Sequence, residues 1–332
     1  MTPFNFQSIP DLAGQRLMLG FDGRTLNTEL KHLINEYRAG GIILFRPNIE
    51  SPDQLRRLCM DARNYALDKG LPDLFVAVDQ EGGQVARLRK PFTEFPGNPH
   101  MKSIEDAREF ARITASELSD MGINMNMAPV MDVSPPNVNS IMKDRVFTGD
   151  AHRVAELGTN VIQGLQKGGV MAVAKHFPGI GRTVKDSHFF LPELDAPLSD
   201  LEQTDLVPFE AAKKVQVSGV MLSHILYPQI DPEWQASLSK TIAYDLLRRD
   251  MGYQGLVMTD DLDMKAISHD MGTCIHRIMT AQIDMALVCH AGPNIADARN
   301  AVIKYLETDE LLFESGQACV KRILAAKKRF LE

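Results

Sequence analysis

Cysteine is scarce in this chain: Cys59, Cys274, Cys289 and Cys319 lie far apart among 332 residues and form no C-x-x-C pair. That spacing excludes a disulfide framework and a cysteine-built zinc site, and it predicts reduced thiols in a cytoplasmic protein. Charge of one sign is never concentrated either. The net charge is −7 with no basic run, which removes the electrostatic footprint of a nucleic-acid or anionic-membrane binder. No apolar stretch approaches the length that spans a bilayer, and Met1-Thr2-Pro3-Phe4-Asn5-Phe6 lacks the basic-then-apolar order of a signal peptide. Gly20-Phe21-Asp22-Gly23 does not fit a phosphate-binding glycine turn, and Ser223 has no G-x-S-x-G elbow around it. His32, His100, His152, His269, His276 and His290 show no ligand spacing, so neither a metal nor a cofactor is expected.

What is present is an ordinary globular composition, 44% hydrophobic and 24% charged, in a chain that fits one barrel or two compact domains. Short apolar runs with β character recur along it, each followed by an amphipathic helical stretch. They are Leu17–Phe21, Gly41–Phe45, Leu74–Val78, Ile123–Met127, Val170–Ala174, Gly219–Ser223, Gly255–Thr259 and Met285–Cys289. Ser51 before Pro52, and Ser103, are N-cap signals for two of the helices. A helix ending near Ala39 follows the first run, and one over Thr241–Arg249 follows the sixth. Strand–helix units repeated without a break in composition predict an α/β fold, a single (β/α)8 barrel over residues 1–332 with its active site at the C-terminal ends of the strands. A doubly wound open sheet is the alternative. The 17 methionines read as core packing.

Asp79, Lys175-His176, His224 and Asp260 each stand where an apolar run ends, and the longest loops follow the same runs. In a barrel those ends meet on one face, so these side chains are predicted to converge, with His224 as a further candidate for the pocket lining. Strand-end aspartates also cap helices, which would account for Asp260 or Asp261 alone but less well for the set. The stretch Lys175 to His188 reads K-H-F-P-G-I-G-R-T-V-K-D-S-H. Its strand delivers Lys175 and His176; Pro178, Gly179 and Gly181 then open a loop with Asp186 and His188 at its far end. Taken alone, an Asp-x-His pair is more often a salt-bridged surface loop.

Four more stretches accompany it in order: Val78-Asp79-Gln80-Glu81-Gly82-Gly83 with Arg87; Asn126-Met127-Ala128-Pro129-Val130-Met131-Asp132-Val133; Asp144-Arg145-Val146-Phe147; and Val257-Met258-Thr259-Asp260-Asp261-Leu262. Together the five motifs resemble the β-N-acetylglucosaminidase branch of the family-three glycoside hydrolases. The resemblance implies a retaining exo-enzyme that removes N-acetylglucosamine from wall-derived anhydromuropeptides, a small amino-sugar glycoside substrate. It implies Asp260 as nucleophile, His188 as general acid/base, and Asp186 as the partner that orients that histidine. It also implies sugar binding by Asp79, Arg87, Arg145, Lys175 and His176.

Those roles agree with the chemistry of the side chains. A carboxylate can attack an anomeric carbon, and imidazole titrates near neutrality. Asp79 can grip sugar hydroxyls, while Lys175, Arg87 and Arg145 offer fixed donors whose charge would help keep Asp260 ionised. If His188 is not the acid, Glu81 becomes the one to test. The chain departs from the family pattern at Ile180, where G-H-G is usual, and at Gln84, which replaces a common arginine. Open alternatives are a phosphorylase on the same scaffold, because a histidine acid/base does not repel phosphate, a β-glucosidase, and a sugar-binding barrel without turnover.

Overall fold

The apolar runs become the strands of one closed, all-parallel barrel in the computed structural model, which describes residues 8–184 and 191–332. They are β1 (Leu17–Leu19), β2 (Gly41–Leu44), β3 (Phe75–Val78), β4 (Met125–Asn126), β5 (Met171–Phe177), β6 (Gly219–Leu222), β7 (Leu256–Asp261) and β8 (Met285–Val288). Each pairs with its neighbour in sequence, and β1 closes the ring on β8 with Leu17 opposite Ala286. Helical segments return the chain between consecutive strands, as parallel pairing requires.

Helix starts follow the expected caps. The Ser51 hydroxyl accepts from the Gln54 N–H with Pro52 at the first helical position, and Ser103 forms a capping box with Asp106. The helix after β1 ends at Asn35, short of Ala39, and Arg38 at φ 57° then turns the chain towards β2. The Thr241–Asp250 segment is helical as expected but wound as a π-helix.

The fourth run gives only a two-residue strand because asparagine side chains take over its ladder. Asn124 accepts from the Val76 N–H at 2.8 Å and donates to the Leu74 carbonyl at 2.9 Å. Asn126 brackets Gln80 in the same way, at 3.0 Å on each side.

Met18, Phe75, Met125, Met171, Met258 and Met285 are among the residues that fill the barrel interior, where unbranched side chains suit an irregular space. A larger apolar layer lies between strands and helices. The helix Glu310–Leu331 closes the end of the barrel where the strands begin, placing Ile323 in the interior cluster with Ala326 and Phe330 against it. No helix among the described residues is long and apolar enough to cross a membrane.

The same closing helix buries Lys327, whose ammonium donates to Gln15 Oε1 at 2.8 Å and lies 5.1 Å from the Phe75 ring centre. Burial pulls its pKa down to about 7, against a weaker opposing effect of Asp73. An unfolded lysine titrates near about 10.4. Between those values the unfolded chain holds a proton that the folded chain has released, so this group makes stability rise with pH across the window, with its full penalty below pH 7. Lys327→Met should therefore gain about 1–3 kcal/mol at pH 7 and lose most of that gain by pH 10. Urea midpoints of both proteins across this range test it; a variant less stable at pH 7, or a difference that does not change with pH, would contradict it.

Candidate active site

Asp79 follows β3 directly, and the next residues fold into a hairpin, Gln80–Gly82 against Val85–Ala86. Gly82 and Gly83 make its turn at φ 87° and 61°, a region that favours glycine. The hairpin returns Arg87 to Asp79, with Nη2 donating to Oδ2 at 2.9 Å. Buried Gln80 stiffens it by accepting from the Arg87 and Leu88 N–H groups at 2.9 and 3.0 Å.

Lys175, near the end of β5, donates to Asp79 Oδ1 at 2.8 Å and meets Glu81 Oε1 at 2.6 Å. Arg145 grips Glu81 with both arms, at 2.7 and 3.0 Å. The result is an alternating row, Arg87–Asp79–Lys175–Glu81–Arg145. Burial alone would favour the neutral acids, but the neighbouring cations win, and both Asp79 and Glu81 are held below the usual carboxylate range. Burial likewise disfavours the Lys175 ammonium, and the two carboxylates more than offset it, so its pKa is raised.

The Lys175–His176 peptide is cis. His176 Nδ1 lies 2.8 Å from Oδ2 of Asp132, which is wholly buried. Gly179 and Gly181 are both required where the loop begins: a Cβ on Gly179 (φ 128°) would meet Asp205 at 2.7 Å, and one on Gly181 the Val133 carbonyl at 2.1 Å.

Asp260 stands half-buried at the end of β7 with its Oδ1 accepting from the Asp261 N–H at 2.8 Å. Burial opposes its ionisation; His224, His176, the Asp261 N–H and Lys175 favour it, and its pKa is lowered. His224 is itself pushed down by burial, so near neutrality it acts on Asp260 as a dipole rather than a full charge. Asp261 differs: burial raises its pKa, and its Oδ1 is taken by the N–H groups of Asp263 and Cys289 at 3.0 and 3.1 Å. Both aspartates line the cavity, but only Asp260 has its pKa lowered.

These groups open on a cavity of about 700 Å³, lined among others by Asp79, Arg87, Arg145, Lys175, His176 and Asp260. That volume suits a small-molecule ligand. Every described residue expected to act on substrate is in this lining; Asp186 and His188 lie outside the described residues. No group of three or more His, Cys, Asp or Glu that could hold a metal occurs among the described residues.

The profile of the glycosyl hydrolase family 3 N-terminal domain matches residues 11–326. The chain belongs to glycosyl hydrolase family 3. A β-hexosaminidase of Pseudomonas aeruginosa is 36% identical over 325 residues, covering 95% of each chain. The family 3 β-N-acetylglucosaminidase from Paenibacillus sp. str. FPU-7 superposes with a TM-score of 0.94 at 36% identity, over 98% of this chain and 63% of that one. The β-N-acetylhexosaminidase from Beutenbergia cavernae gives 0.89 at 28% identity, over 97% and 98% of the two chains.

Within this family-3 site, several expectations need correction. Arg87 and Arg145 are committed to Asp79 and Glu81, and Lys175 is the cation of the three that stands among the main influences favouring the charge on Asp260. His224 is not in the pocket lining. It is buried behind Asp260, with Nε2 on the Asp261 carbonyl at 2.8 Å and Nδ1 on Ser237 Oγ at 2.6 Å. Glu81 is a poor candidate for the acid, because Lys175 and Arg145 both stabilise its ionised form. Ile180 and Gln84, the two departures, do face the cavity. Asp132 stands inside one of the five motifs, yet nothing in the sequence alone assigns it a role. Its only local signal was a charged residue at the end of the apolar stretch Ala128–Met131.

Proposed function

We infer that this family-3 protein is an exo-acting, retaining β-N-acetylglucosaminidase, and that Asp260 is its nucleophile. The observation that carries the assignment is a half-buried, pKa-lowered carboxylate at the end of β7 in the same cavity as the Arg87–Asp79–Lys175 cluster. In this reading the terminal amino sugar lies against that cluster. Each Asp79 oxygen keeps a lone pair for a sugar hydroxyl beyond its ion pair, and Arg87 and Lys175 hold the carboxylate rigid. Asp260 attacks the anomeric carbon to give a glycosyl-enzyme while His188, oriented by Asp186, protonates the departing oxygen; the same imidazole then deprotonates the water that releases the sugar.

Wall-derived anhydromuropeptides are the proposed natural substrate, and the cytoplasm the proposed location. The four cysteines are free and buried, with burial pushing the Cys59 and Cys274 thiols up to about 12, which suits a reducing compartment. Comparing aryl N-acetylglucosaminide with aryl glucoside, with and without phosphate, tests the function. Hydrolysis of the acetamido substrate should be far faster and independent of phosphate. Equal rates, glucoside preference or a sugar-phosphate product would overturn the reading.

The acid/base assignment has its own test. His188→Ala should lose about 100-fold or more on a natural disaccharide, whose departing oxygen needs a proton. Formation of the glycosyl-enzyme from a nitrophenyl glycoside should suffer far less, and azide should partly rescue its breakdown. Uniform loss across leaving groups without rescue would mark His188 as a binding or structural residue.

A further inference from the structure

We propose that Asp132 is a positioning residue that fixes the tautomer of His176, so that the neutral ring presents Nε2 to the cavity as a hydrogen-bond acceptor for a sugar hydroxyl. The proposal rests on the reading of this cavity as a sugar site. Asp132 is brought to its place by the stretch that continues β4. Val130 bridges Lys175 and the Met131 N–H donates to the Lys175 carbonyl at 2.6 Å, which sets the wholly buried Asp132 beside His176.

The two carboxylate oxygens of Asp132 are used differently. Oδ1 accepts two main-chain N–H groups, from His176 at 3.2 Å and from Ile180 at 2.8 Å. Oδ2 meets only the imidazole Nδ1, at 2.8 Å. With Oδ1 accepting two N–H groups, the carboxylate is placed as an acceptor on both oxygens, so the structure assigns the hydrogen in that contact to Nδ1. The neutral ring then carries its lone pair on Nε2, which has no hydrogen-bond partner among the described residues, and His176 lines the cavity. Its neighbours in that lining include the donors Arg87, Lys175 and Arg145, and a sugar hydroxyl that donates needs an acceptor as well. Ile180 takes part through its backbone alone, which explains how a residue of unusual side chain can stand there without loss of the arrangement.

The unequal use of the two oxygens makes a sharp test possible. In Asp132→Asn the amide oxygen must take the Oδ1 place, because two N–H donors point at it. The amide NH₂ is then left at the Oδ2 place and donates to Nδ1. That moves the ring proton to Nε2 and converts the acceptor into a donor at almost unchanged volume.

Histidine-¹⁵N-labelled protein at alkaline pH, where imidazoles are neutral, reports the tautomer directly, with the His176 signals assigned from their loss in His176→Asn. The wild type should show a proton on Nδ1 and none on Nε2, and saturation with N-acetylglucosamine should shift Nε2 upfield as it accepts a hydroxyl. D132N should show the proton on Nε2. Its kcat/KM on an aryl N-acetylglucosaminide should fall roughly 10- to 100-fold, as expected when an acceptor is replaced by an opposed donor. A wild-type proton on Nε2, an Nε2 signal unmoved by saturating sugar, or a swapped tautomer without loss of kcat/KM would each overturn the proposal. The wild-type spectra decide it even where D132N does not fold. A wild type without activity on the substrate would instead sink the functional reading, leaving the tautomer result to stand.

Discussion

Asp260→Asn should lower kcat on an aryl N-acetylglucosaminide by roughly three orders of magnitude or more, because the amide cannot form the glycosyl ester. The exchange is nearly isosteric, and the amide oxygen can still accept the Asp261 N–H, so folding should be little affected. A 2-fluoro or 5-fluoro sugar with a good leaving group should trap the intermediate and label a peptide containing Asp260. A label on Asp79 or Glu81 would refute the assignment, and both are chemically poorer candidates. Two cations hold each of them, which lowers the nucleophilicity of a carboxylate as well as its pKa. The pH profile follows with a definite sign. Attack requires ionised Asp260, whose pKa is lowered, so the acid limb due to this group should lie below the ordinary carboxylate range.

Lys175→Met should cost about 3–5 kcal/mol of stability at pH 7 and abolish activity. Lys175 is buried between Asp79 and Glu81, so its loss leaves two carboxylates on either side of an apolar side chain, each with only one cation remaining. The penalty should depend on pH. In the wild type both acids have lowered pKa values and so contribute stability above the unfolded carboxylate range, which is lost as pH falls through their folded values. Without Lys175 both pKa values rise, and protonation relieves the repulsion. The gap between variant and wild type should therefore be widest near neutrality and shrink towards pH 4. Urea unfolding at pH 7, 5.5 and 4 measures this, and a loss under 1 kcal/mol at pH 7 would show that the row is not electrostatically coupled.

The barrel was readable because its strands announce themselves as short apolar runs, several of which stop on a polar residue. Asp79, Lys175 and Asp260 are such stops, and the fold carries all three to one cavity. The partners of those residues were much harder to read. Arg145 finds Glu81 across 64 positions of sequence and Asp132 finds His176 across 44, and no local pattern encodes which distant charges will meet. The short helix Ile9–Gln15 gives too little periodicity to register. Asn124 and Asn126 shortened an expected strand because side-chain amides can imitate a β-ladder, which hydrophobic patterning does not report. His224 looked like a pocket residue because it follows a strand; the direction of its side chain, behind Asp260 and onto Ser237, is a tertiary fact.

Closure of the ring by β1 against β8 also sets a clock on the ribosome. Leu17 must wait for Ala286 before its open side is paired, and the interior stays uncovered at one end until Ile323 and Phe330 arrive. At ordinary elongation rates that interval is roughly a quarter of a minute to a minute. Any sheet that forms in that time has two unsatisfied edges and an uncovered methionine-rich interior, the features that recruit other chains. Production of this enzyme should therefore be limited by protection of the growing chain, and a nascent chain halted between β7 and β8 should be a strong client for a holding chaperone.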